Sequence, residues 1–296
     1  MNILITGGKG TLGQKLLEYL SYTEHTIKIL SKKHDSKSFD KSLISLLGDI
    51  INYESLKFAT KNIDMVIHLA AITHTNNTKE YYDVNVAGTK NLIKACEKNG
   101  VKKILYISSC TANTKGGAYA NSKYLAEQEI IKSSLDWIIL RASEIYGTNS
   151  GAVDKIINQI KTKTFIPVLR GKQCRLSPIY IDDVINPIIY IVQKKVLTKK
   201  IYILAGPKEF TYVDMVDNIA KILHKNIIKI PISIGIIKII AQISFYLKKK
   251  WLTKDQIPRL LINKNYNIED AKKYINFNPK TLEQGVPLVI NSPKVK

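Results

Sequence analysis

Short apolar runs alternate with amphipathic segments from the beginning of the chain. Asn2–Thr6 is an apolar run typical of a β-strand, and Thr11–Ser21 follows it with its leucines at helical spacing. The same alternation gives a strand at Met65–Leu69 and a long helix at Tyr81–Asn99. Runs such as Trp137–Leu140 are apolar at every position, as strands covered on both faces must be. The pattern therefore predicts an α/β fold with a doubly wound parallel sheet.

The remaining predicted elements extend this alternation along most of the chain. They are the strands Thr26–Leu30, Lys103–Ser108 and Lys200–Leu204, the helices Tyr53–Lys61, Tyr119–Ser133, Asp154–Lys161 and Phe210–His224, and a strand leading into a helix over Ile179–Lys194. The regularity loosens after about residue 147, and the end of the chain has the pattern of a lysine-rich, helical tail. We predict a dinucleotide-binding domain over residues 1–165, to which residues 176–206 return, and a smaller, mostly helical substrate-binding lobe over residues 166–296.

The composition is that of a globular protein. Apolar residues make up 45% of the 296 residues and charged residues 23%, which argues against a disordered or fibrous chain. The cysteines Cys96, Cys110 and Cys174 are scattered without paired spacing, so we expect neither a disulfide framework nor a metal site. The best candidate for a membrane span, Ile227–Leu247, is interrupted by lysines and a proline, and the first strand runs at once into glycines rather than forming a leader. We therefore expect a cytoplasmic protein.

The formal net charge of +21 changes this picture only in part. Only four of the 45 basic residues are Arg, and the lysines occur on nearly every predicted element rather than in one stripe. A nucleic-acid surface would more typically cluster Arg among aromatic residues. We therefore expect a solvated, lysine-rich surface, no nucleic-acid partner, and a positive field that favours anionic ligands such as nucleotides or lipid headgroups.

The segment after the first strand has the glycine spacing of a dinucleotide site. Gly7, Gly10 and Gly13 are three residues apart, in a turn that opens the first helix. In such a turn the first glycine permits the tight bend, the second lets the backbone approach a pyrophosphate, and the third allows close contact between helix and strand. The helix N-terminus adds N–H groups and a partial positive charge. This context predicts a Rossmann-type domain that binds NAD or NADP.

The end of the second strand bears on which of the two dinucleotides binds. An NAD site usually has Asp or Glu about 20 residues beyond the glycines, where the carboxylate holds the ribose 2′-hydroxyl. Here the sequence is Ile29-Leu30-Ser31-Lys32-Lys33, with no carboxylate. Ser31 and Lys32 would suit a 2′-phosphate, which slightly favours NADP, although two adjacent lysines are also what a lysine-rich surface contains.

A tyrosine and a lysine four residues apart offer proton chemistry. Tyr119 and Lys123 share one face of a predicted helix, a spacing that by itself is common. A phenol with a pKa of about 10 is a poor acid–base at neutral pH, and a nearby ammonium or oxidised nicotinamide lowers that pKa. The preceding strand ends in four residues whose side chains could face a substrate oxygen, and the sequence does not choose among Ser108, Ser109, Cys110 and Thr111.

These features occur together with a series of further motifs. The motifs are Gly48-Asp49, Asp64–Ala71 (D-M-V-I-H-L-A-A), Asn85–Leu92 (N-V-A-G-T-K-N-L), Tyr106–Ser109 (Y-I-S-S), Leu140–Gly147 and Ile179–Val184. In this order and spacing, the first 215 residues or so resemble an extended short-chain dehydrogenase/reductase of the NAD-dependent epimerase/dehydratase family.

The resemblance implies a role for each matching residue. The catalytic residues would be Ser109, which binds the substrate oxygen, Tyr119 as acid–base, and Lys123, which contacts the nicotinamide ribose and lowers the pKa of the tyrosine. The reaction would move a hydride between the nicotinamide and a carbon of a nucleotide-linked sugar. The implied cofactor-binding residues are Gly7, Gly10, Thr11, Leu12, Gly13, Ser31, Lys32, Asp49, Ile50, Leu69, Ala70, Ala71, Asn85, Tyr119 and Lys123.

The resemblance also extends to the substrate and to the oligomeric state. Arg175 would bind the substrate, and it stands one residue further from Asp183 than in that family. Family members often form homodimers through the helices that correspond here to Tyr82–Cys96 and Tyr119–Ile131. His68 is expected to be a packing residue at the end of a strand.

A second resemblance gives the alternative function. Tyr202–Tyr212 and Leu252–Ile257 resemble the dinucleotide-binding accessory subunit of mitochondrial complex I and its bacterial relatives, which hold NADPH without known turnover. Ile232–Leu247 would then be a helix lying on a membrane or a partner, with Lys248–Lys250 at its polar edge. A buried helix of the second lobe fits the same residues. Because a protein that only binds a dinucleotide has no need of an activated phenol, Tyr119 and Lys123 favour the enzyme.

Overall fold

The secondary structure alternates strands and helices over most of the chain. The computed structural model describes residues 1–33, 43–149, 151–169, 175–246, 256–262 and 264–291. The strands are β1 Asn2–Thr6, β2 Thr26–Ser31, β3 Leu43–Leu47, β4 Met65–His68, β5 Lys103–Ser109, β6 Asp136–Ala142, β7 Ile145–Tyr146, β8 Phe165–Leu169, β9 Arg175–Leu176, β10 Ile179–Tyr180, β11 Lys200–Leu204, β12 Phe210–Thr211 and β13 Ile228–Ile232. The helices are α1 Thr11–Leu20, α2 Tyr53–Ala59, α3 Thr78–Glu80, a π-helix Tyr81–Ala87, α4 Gly88–Lys98, α5 Gly117–Lys132, α6 Ala152–Thr162, α7 Ile181–Gln193, α8 Tyr212–Ile222, α9 Ile234–Tyr246, α10 Gln256–Leu261, α11 Glu269–Ile275 and α12 Leu282–Asn291.

A seven-stranded sheet organises the first part of the chain. Its strand order is β11-β6-β5-β4-β1-β2-β3, and the pairs from β3 to β5 are parallel. Ile3 lies between Ile27 of β2 and Met65 of β4. The order reverses its direction at β1, so the carboxyl ends of β1 and β4 form a switch point where ligands of such sheets bind. The predicted α/β fold with a Rossmann-type, doubly wound parallel sheet is confirmed.

The core of this sheet explains why its strands are apolar at successive positions. Ile3, Leu4 and Ile5 are all fully buried, although successive side chains of a strand point to opposite faces. Both faces of the sheet must therefore be covered, and the buried leucines of α1 (Leu16, Leu17 and Leu20) supply part of that cover.

The chain divides into two compact units, each made of discontinuous stretches. Unit 1 comprises Met1–Arg141 and Ile188–Tyr202, and unit 2 comprises Ala142–Pro187 and Ile203–Lys296. Unit 2 contains three two-stranded sheets, in which β7 pairs with β10, β9 with β12, and β8 with β13. Within the described part of the chain, no helix has both the length and the apolar character that crossing a membrane requires.

Several elements differ from those expected from the sequence. The strands Leu43–Leu47, Phe165–Leu169 and Ile228–Ile232 were not predicted, because each is a short apolar run whose partner strand is distant or weakly patterned. The predicted helix Tyr81–Asn99 is divided into a π-helix and α4, for a reason that the hydrogen bonds of Asn85 show below. Cys174, Lys248–Lys250 and Leu252–Asp255, which the sequence analysis discussed, lie outside the described residues.

Candidate active site

The turn between β1 and α1 shows what each glycine does. Gly7 has a φ of +76°, and a Cβ there would lie 2.6 Å from the backbone nitrogen of Ala70. A Cβ on Gly13 would collide with the carbonyl oxygen of Gly7, so this glycine lets α1 pack against the turn. A Cβ on Gly10 would meet only that same oxygen, at 3.3 Å, and Gly10 is the N-cap of α1. A glycine N-cap has no side-chain acceptor, so the first N–H groups of α1 are left for a ligand such as a pyrophosphate.

A cavity of about 430 Å³ opens beside this turn, where β1, β2 and β4 end. It is lined by Thr6, Gly7, Lys9, Gly10, Leu30, Ser31, Lys32, Lys33, Gly48, Ile50, Leu69, Ala70, Ala71, Ile72 and Val84. Of the predicted cofactor residues, this lining includes Gly7, Gly10, Ser31, Lys32, Ile50, Leu69, Ala70 and Ala71. Thr11, Leu12 and Gly13 form the first turn of α1 instead, Asp49 adjoins the cavity through Ile50, and Asn85, Tyr119 and Lys123 lie on helices considered below. The position and the open glycine turn fit a dinucleotide.

Lysines surround the end of this cavity that lies beside the carboxyl end of β2. Lys32 Nζ lies 2.9 Å from Asp49 Oδ2, so this cation is already paired with a carboxylate. The Ser31 hydroxyl donates to the carbonyl oxygen of Lys33 at 2.9 Å, and Lys9 Nζ donates to the same oxygen at 3.2 Å. Lys9 and Lys33 were not among the residues chosen from the sequence, although Lys9 stands inside the glycine motif itself. Among the described residues, three ammonium groups and one carboxylate lie at this end, which gives them together a net positive charge.

The hydroxyl groups at the end of β5 have different partners. Ser108 is buried, and its Oγ donates to Glu127 Oε1 at 2.5 Å. The Cys110 thiol donates to the carbonyl oxygen of Arg141 at 3.3 Å. Ser109 Oγ and Thr111 Oγ1 are 2.8 Å apart, and both residues are only half-buried. Ser108 is therefore committed to the interior of unit 1, and the half-buried pair is better placed to meet a substrate oxygen.

Tyr119 and Lys123 lie on the first turns of α5, in very different surroundings. Tyr119 is half-buried, with its ring edge-on to that of Tyr81 at 5.8 Å between centroids. Lys123 is only 2% exposed; its Nζ donates to the carbonyl oxygen of Ile107 at 2.7 Å and lies 4.0 Å from the centroid of the Tyr106 ring. Burial lowers the pKa of this ammonium from 10.5 to about 7, although the nearby Glu127 carboxylate opposes the shift. Near neutral pH the lysine is poised to gain or lose a proton.

Asn85 joins the cofactor-lining loop to the helix that carries Tyr119. Its Oδ1 accepts from the Ile72 N–H at 2.8 Å, and its Nδ2 donates to the Ile72 carbonyl oxygen at 3.0 Å. The same Nδ2 is 3.0 Å from Ser122 Oγ, and that hydroxyl donates to the carbonyl oxygen of Tyr119 at 2.8 Å. Asn85 is buried, so these bonds are made away from water. They fix the loop after β4 relative to α5.

His68 continues this network towards the glycine turn. Its Nδ1 lies 2.7 Å from Thr6 Oγ1 and its Nε2 lies 2.9 Å from Thr89 Oγ1. Thr89 donates its single hydroxyl proton to the carbonyl oxygen of Asn85 at 2.6 Å, so Nε2 of His68 must donate and Nδ1 must accept from Thr6. Burial, with a smaller contribution from the Lys123 ammonium, lowers the pKa of His68 to about 3. The imidazole is therefore neutral, in the tautomer with a proton on Nε2.

The same bonds explain the π-helix and show what sequence reasoning missed. The carbonyl of Asn85 accepts from a side chain four residues later in the chain, and its amide group is held by Ile72 outside the helix. These external bonds accompany the wider winding of Tyr81–Ala87, and π-helices frequently occur at functional sites. Thr89 and Ser122 were not chosen from the sequence; the four-residue spacing of Asn85 and Thr89 was a signal that could have indicated the first of them.

Arg175 lies in unit 2, on the wall of a second cavity of about 500 Å³. Its side chain is 66% exposed, and its guanidinium Nη1 lies 3.6 Å from Glu209 Oε2. Its carbonyl oxygen accepts from the hydroxyl of Tyr266 at 3.2 Å and from Lys264 Nζ at 3.4 Å. Lys208 and other residues of the segments 206–209 and 266–272 complete the wall. The lining holds three cations (Arg175, Lys208 and Lys272) and two carboxylates (Glu209 and Glu269), which pair with Arg175 and Lys272, so cations exceed carboxylates by one.

The comparison with known families decides the class of this protein. A profile of the NAD dependent epimerase/dehydratase family matches residues 3–205. The chain belongs to this family. Its predicted relationship to extended short-chain dehydrogenases/reductases is thereby confirmed.

Individual members of the family match most of this chain. UDP-glucose 4-epimerase from Vibrio cholerae is 25% identical, over 96% of this chain and 93% of its own length. N-acetyl-α-D-glucosaminyl-diphospho-ditrans,octacis-undecaprenol 4-epimerase from Escherichia coli O157:H7 is 30% identical, over 73% of this chain and 68% of its own. These relatives are enzymes, which supports the prediction of an enzyme and does not favour the alternative of a non-catalytic NADPH-binding subunit.

Solved structures of the family share the fold. UDP-glucose 4-epimerase from Thermotoga maritima, solved with UDP-glucose, has a TM-score of 0.76 at 17% identity, covering 98% of this chain and 97% of its own. UDP-glucuronic acid 4-epimerase from Bacillus cereus, solved with UDP-glucuronic acid and NAD, has a TM-score of 0.74 at 19% identity, covering 97% of each chain. At these identities the likeness shows the fold.

Proposed function

We propose that this protein is an NAD(P)-dependent epimerase/dehydratase-type oxidoreductase that acts on a nucleotide-linked sugar, with Tyr119 as general acid–base. The observation that carries the proposal is the bonding of Asn85. It ties Ile72, at the cofactor-sized cavity, to the turn of α5 that bears Tyr119 and Lys123. A protein that only stored a dinucleotide would have no use for an acid–base pair fixed to its binding loop.

The chain offers a complete set of groups for the dinucleotide. Gly7 and Gly10 would let the pyrophosphate approach the N-terminus of α1, and Ala70 and Ala71 would line the channel towards the nicotinamide. When bound, the dinucleotide supplies the group that takes a hydride from a sugar carbon and returns it. The lysines at the end of β2 keep NADP as the slightly favoured form, and the pairing of Lys32 with Asp49 reduces that preference.

Tyr119 would move the proton that accompanies this oxidation. As a phenolate it takes the proton from a sugar hydroxyl, and as a phenol it returns the proton to the resulting carbonyl oxygen. Ser109 and Thr111 would hold that oxygen by hydrogen bonds. Lys123 would stabilise the phenolate only while its amine is protonated. With a pKa of about 7, the amine is mostly protonated below neutral pH and mostly neutral above it.

The substrate of the proposal is a sugar joined to a diphosphate. The Vibrio cholerae relative and the solved structures above are named for UDP-sugars, which is why a nucleotide is proposed as the carrier. The name of the Escherichia coli relative describes the same diphosphate link with undecaprenol as the carrier, so a lipid-linked sugar belongs in the same screen. Arg175, on the cavity of unit 2, is the proposed contact for the diphosphate, and a homodimer is the proposed assembly.

A substrate screen with matched tyrosine variants tests the proposal. Purified protein is incubated with NAD+ or NADP+ and with UDP-glucose, UDP-glucuronic acid, UDP-N-acetylglucosamine or N-acetylglucosaminyl-diphospho-undecaprenol, and the products are separated by chromatography. Tyr119→Phe should abolish turnover and leave the dinucleotide Kd nearly unchanged. Tyr124→Phe, one turn further along α5 and also half-buried, should keep full activity. Full activity of Tyr119→Phe would refute the acid–base assignment.

A further inference from the structure

The two-stranded sheet of β8 and β13 in unit 2 presents an apolar face to solvent. The strands are parallel, with Phe165 beside Ile228 and Pro167 beside Ile230. All four side chains are exposed, whereas Ile166, which points to the other face of β8, is fully buried. One face of this small sheet therefore packs on the interior of unit 2, and its other face is apolar without being covered.

Helix α9 begins two residues after β13 ends and exposes a second apolar cluster. Ile236, Ile239 and Ile243 have the spacing of one helical stripe, and each is about half exposed. Ile234 and Ile237 are half-buried, and no described side chain of α9 is buried. A helix that is apolar on most sides is normally enclosed by protein or by lipid, and the described residues do not enclose this one.

We call Phe165, Ile228, Ile230, Ile236, Ile239 and Ile243 the apolar surface of unit 2. Scattered exposed apolar residues are ordinary, but clusters of this kind usually mark a binding surface. The charge of the chain identifies what covers it. The protein carries a net charge of +21, and the exposed Lys163 and Lys225 stand just before β8 and β13 in the chain. Two copies meeting through this particular surface would bring these flanking lysines together, whereas an anionic lipid surface would attract them; the proposed homodimer uses other helices.

We propose that the apolar surface of unit 2 seats this protein on an anionic lipid bilayer. With 13 residues α9 is about 20 Å long, shorter than the roughly 30 Å hydrocarbon core, so it would lie along the bilayer. The isoleucines would enter the boundary between headgroups and acyl chains, and Lys163 and Lys225 would contact the anionic headgroups. This binding is independent of the proposed catalysis, and it would bring the active site to lipid-linked as well as soluble sugars.

Vesicle flotation of the full chain tests this inference. The probes are vesicles of phosphatidylcholine alone and vesicles that also contain phosphatidylglycerol. The wild type should bind the anionic vesicles at least about tenfold more strongly, and the double variant Ile236→Gln/Ile239→Gln should lose most of that binding. Phe58→Gln is the matched control, because Phe58 is an equally exposed apolar residue of unit 1 and its loss should leave binding unchanged.

Three outcomes would overturn the inference. The first is a wild type that floats with neither kind of vesicle. The second is a double variant that binds as well as the wild type. The third is a wild type that forms a dimer without lipid and a double variant that is monomeric, which would make a second copy the occupant. Circular dichroism and dinucleotide affinity of the double variant should match those of the wild type, which shows that the fold is intact. Because turnover of soluble substrates is measured separately, failure of the proposed function would not be mistaken for failure of membrane binding.

Discussion

Replacing Lys123 by methionine should stabilise the protein while destroying its activity. Burial lowers the pKa of Lys123 from 10.5 to about 7, so the protonated amine is less stable in the native state than in the unfolded chain. At about 1.36 kcal/mol per pKa unit, this difference in pKa lowers the free energy of unfolding at pH 7 by about 4 kcal/mol relative to a side chain that does not titrate. Methionine leaves the carbonyl oxygen of Ile107 without its donor, and this loss destabilises the variant by about 1–3 kcal/mol. We expect Lys123→Met to be more stable than the wild type by about 2 kcal/mol at pH 7.

The pH dependence of this difference identifies its cause. Between pH 7 and pH 10.5 the unfolded lysine holds a proton that the buried lysine has released. Unfolding therefore takes up a proton in this window, so the free energy of unfolding of the wild type rises with pH, by at most about 1.4 kcal/mol per pH unit from this group. The variant lacks this contribution, and its advantage should shrink by about 2 kcal/mol between pH 7 and pH 9.

Urea unfolding of the two proteins at pH 7 and pH 9 measures both quantities. Lys132→Met, at an exposed position of the same helix, is the control and should change the free energy of unfolding by less than about 0.5 kcal/mol at either pH. The reasoning fails if Lys123→Met is less stable than the wild type at pH 7. It fails equally if the difference between them is the same at both pH values, since a simple packing effect would not titrate.

Three further variants probe the cofactor cavity and the core around it. Lys32→Ala should weaken NADPH binding in a fluorescence titration more than NADH binding, and equal effects would remove the case for the phosphate form. Asn85→Ala leaves both polar backbone groups of Ile72 unpaired, so urea unfolding should show a free energy of unfolding about 2–4 kcal/mol lower than that of the wild type. Dinucleotide binding should also be weaker, and unchanged binding would refute the role of Asn85 in holding the loop. Arg141→Met removes the ion-pair partner of the buried Glu127 carboxylate and should lower the free energy of unfolding, measured by calorimetry, by about 3–5 kcal/mol. Adding Glu127→Gln to the same protein should restore part of that stability.

The sequence was most informative where local patterns determine structure. The apolar run Asn2–Thr6 and the glycines after it specify a strand, a turn and a helix through contacts close along the chain, and the structure has all three. β8 and β13 are different, because Phe165 meets Ile228 only after the chain has folded. Neither run alternates clearly enough to be distinguished from a short helix or a loop, so their pairing could not be predicted.

The site divides in the same way. Tyr119 and Lys123 were candidates because their spacing occurs together with the other motifs that resemble the family. The chemical state of Lys123, however, depends on how deeply it is buried, which no spacing reveals. Among the hydroxyl groups at the end of β5, the choice rested on Glu127, which stands 19 residues after Ser108 and accepts its proton. Partners that are distant in sequence decide which of several similar side chains is available to a substrate.

The hydrogen-bond network around Asn85 and the burial of Lys123 are best understood as parts of one arrangement. The pKa of Lys123 lies near 7 because its site excludes water, and burial of the charged amine there destabilises the fold. The neutral imidazole of His68 and the amide of Asn85 bind their neighbours without adding charge, so they hold β1, the π-helix and α5 around Lys123 at little further electrostatic cost. A carboxylate in place of His68 would have stabilised the ammonium and raised the pKa of Lys123 towards 10.5, as Glu127 already does in part. The network thus forms hydrogen bonds to each element without adding a negative charge that would raise the pKa of Lys123. His68, with a pKa of about 3, meets both conditions because it stays neutral.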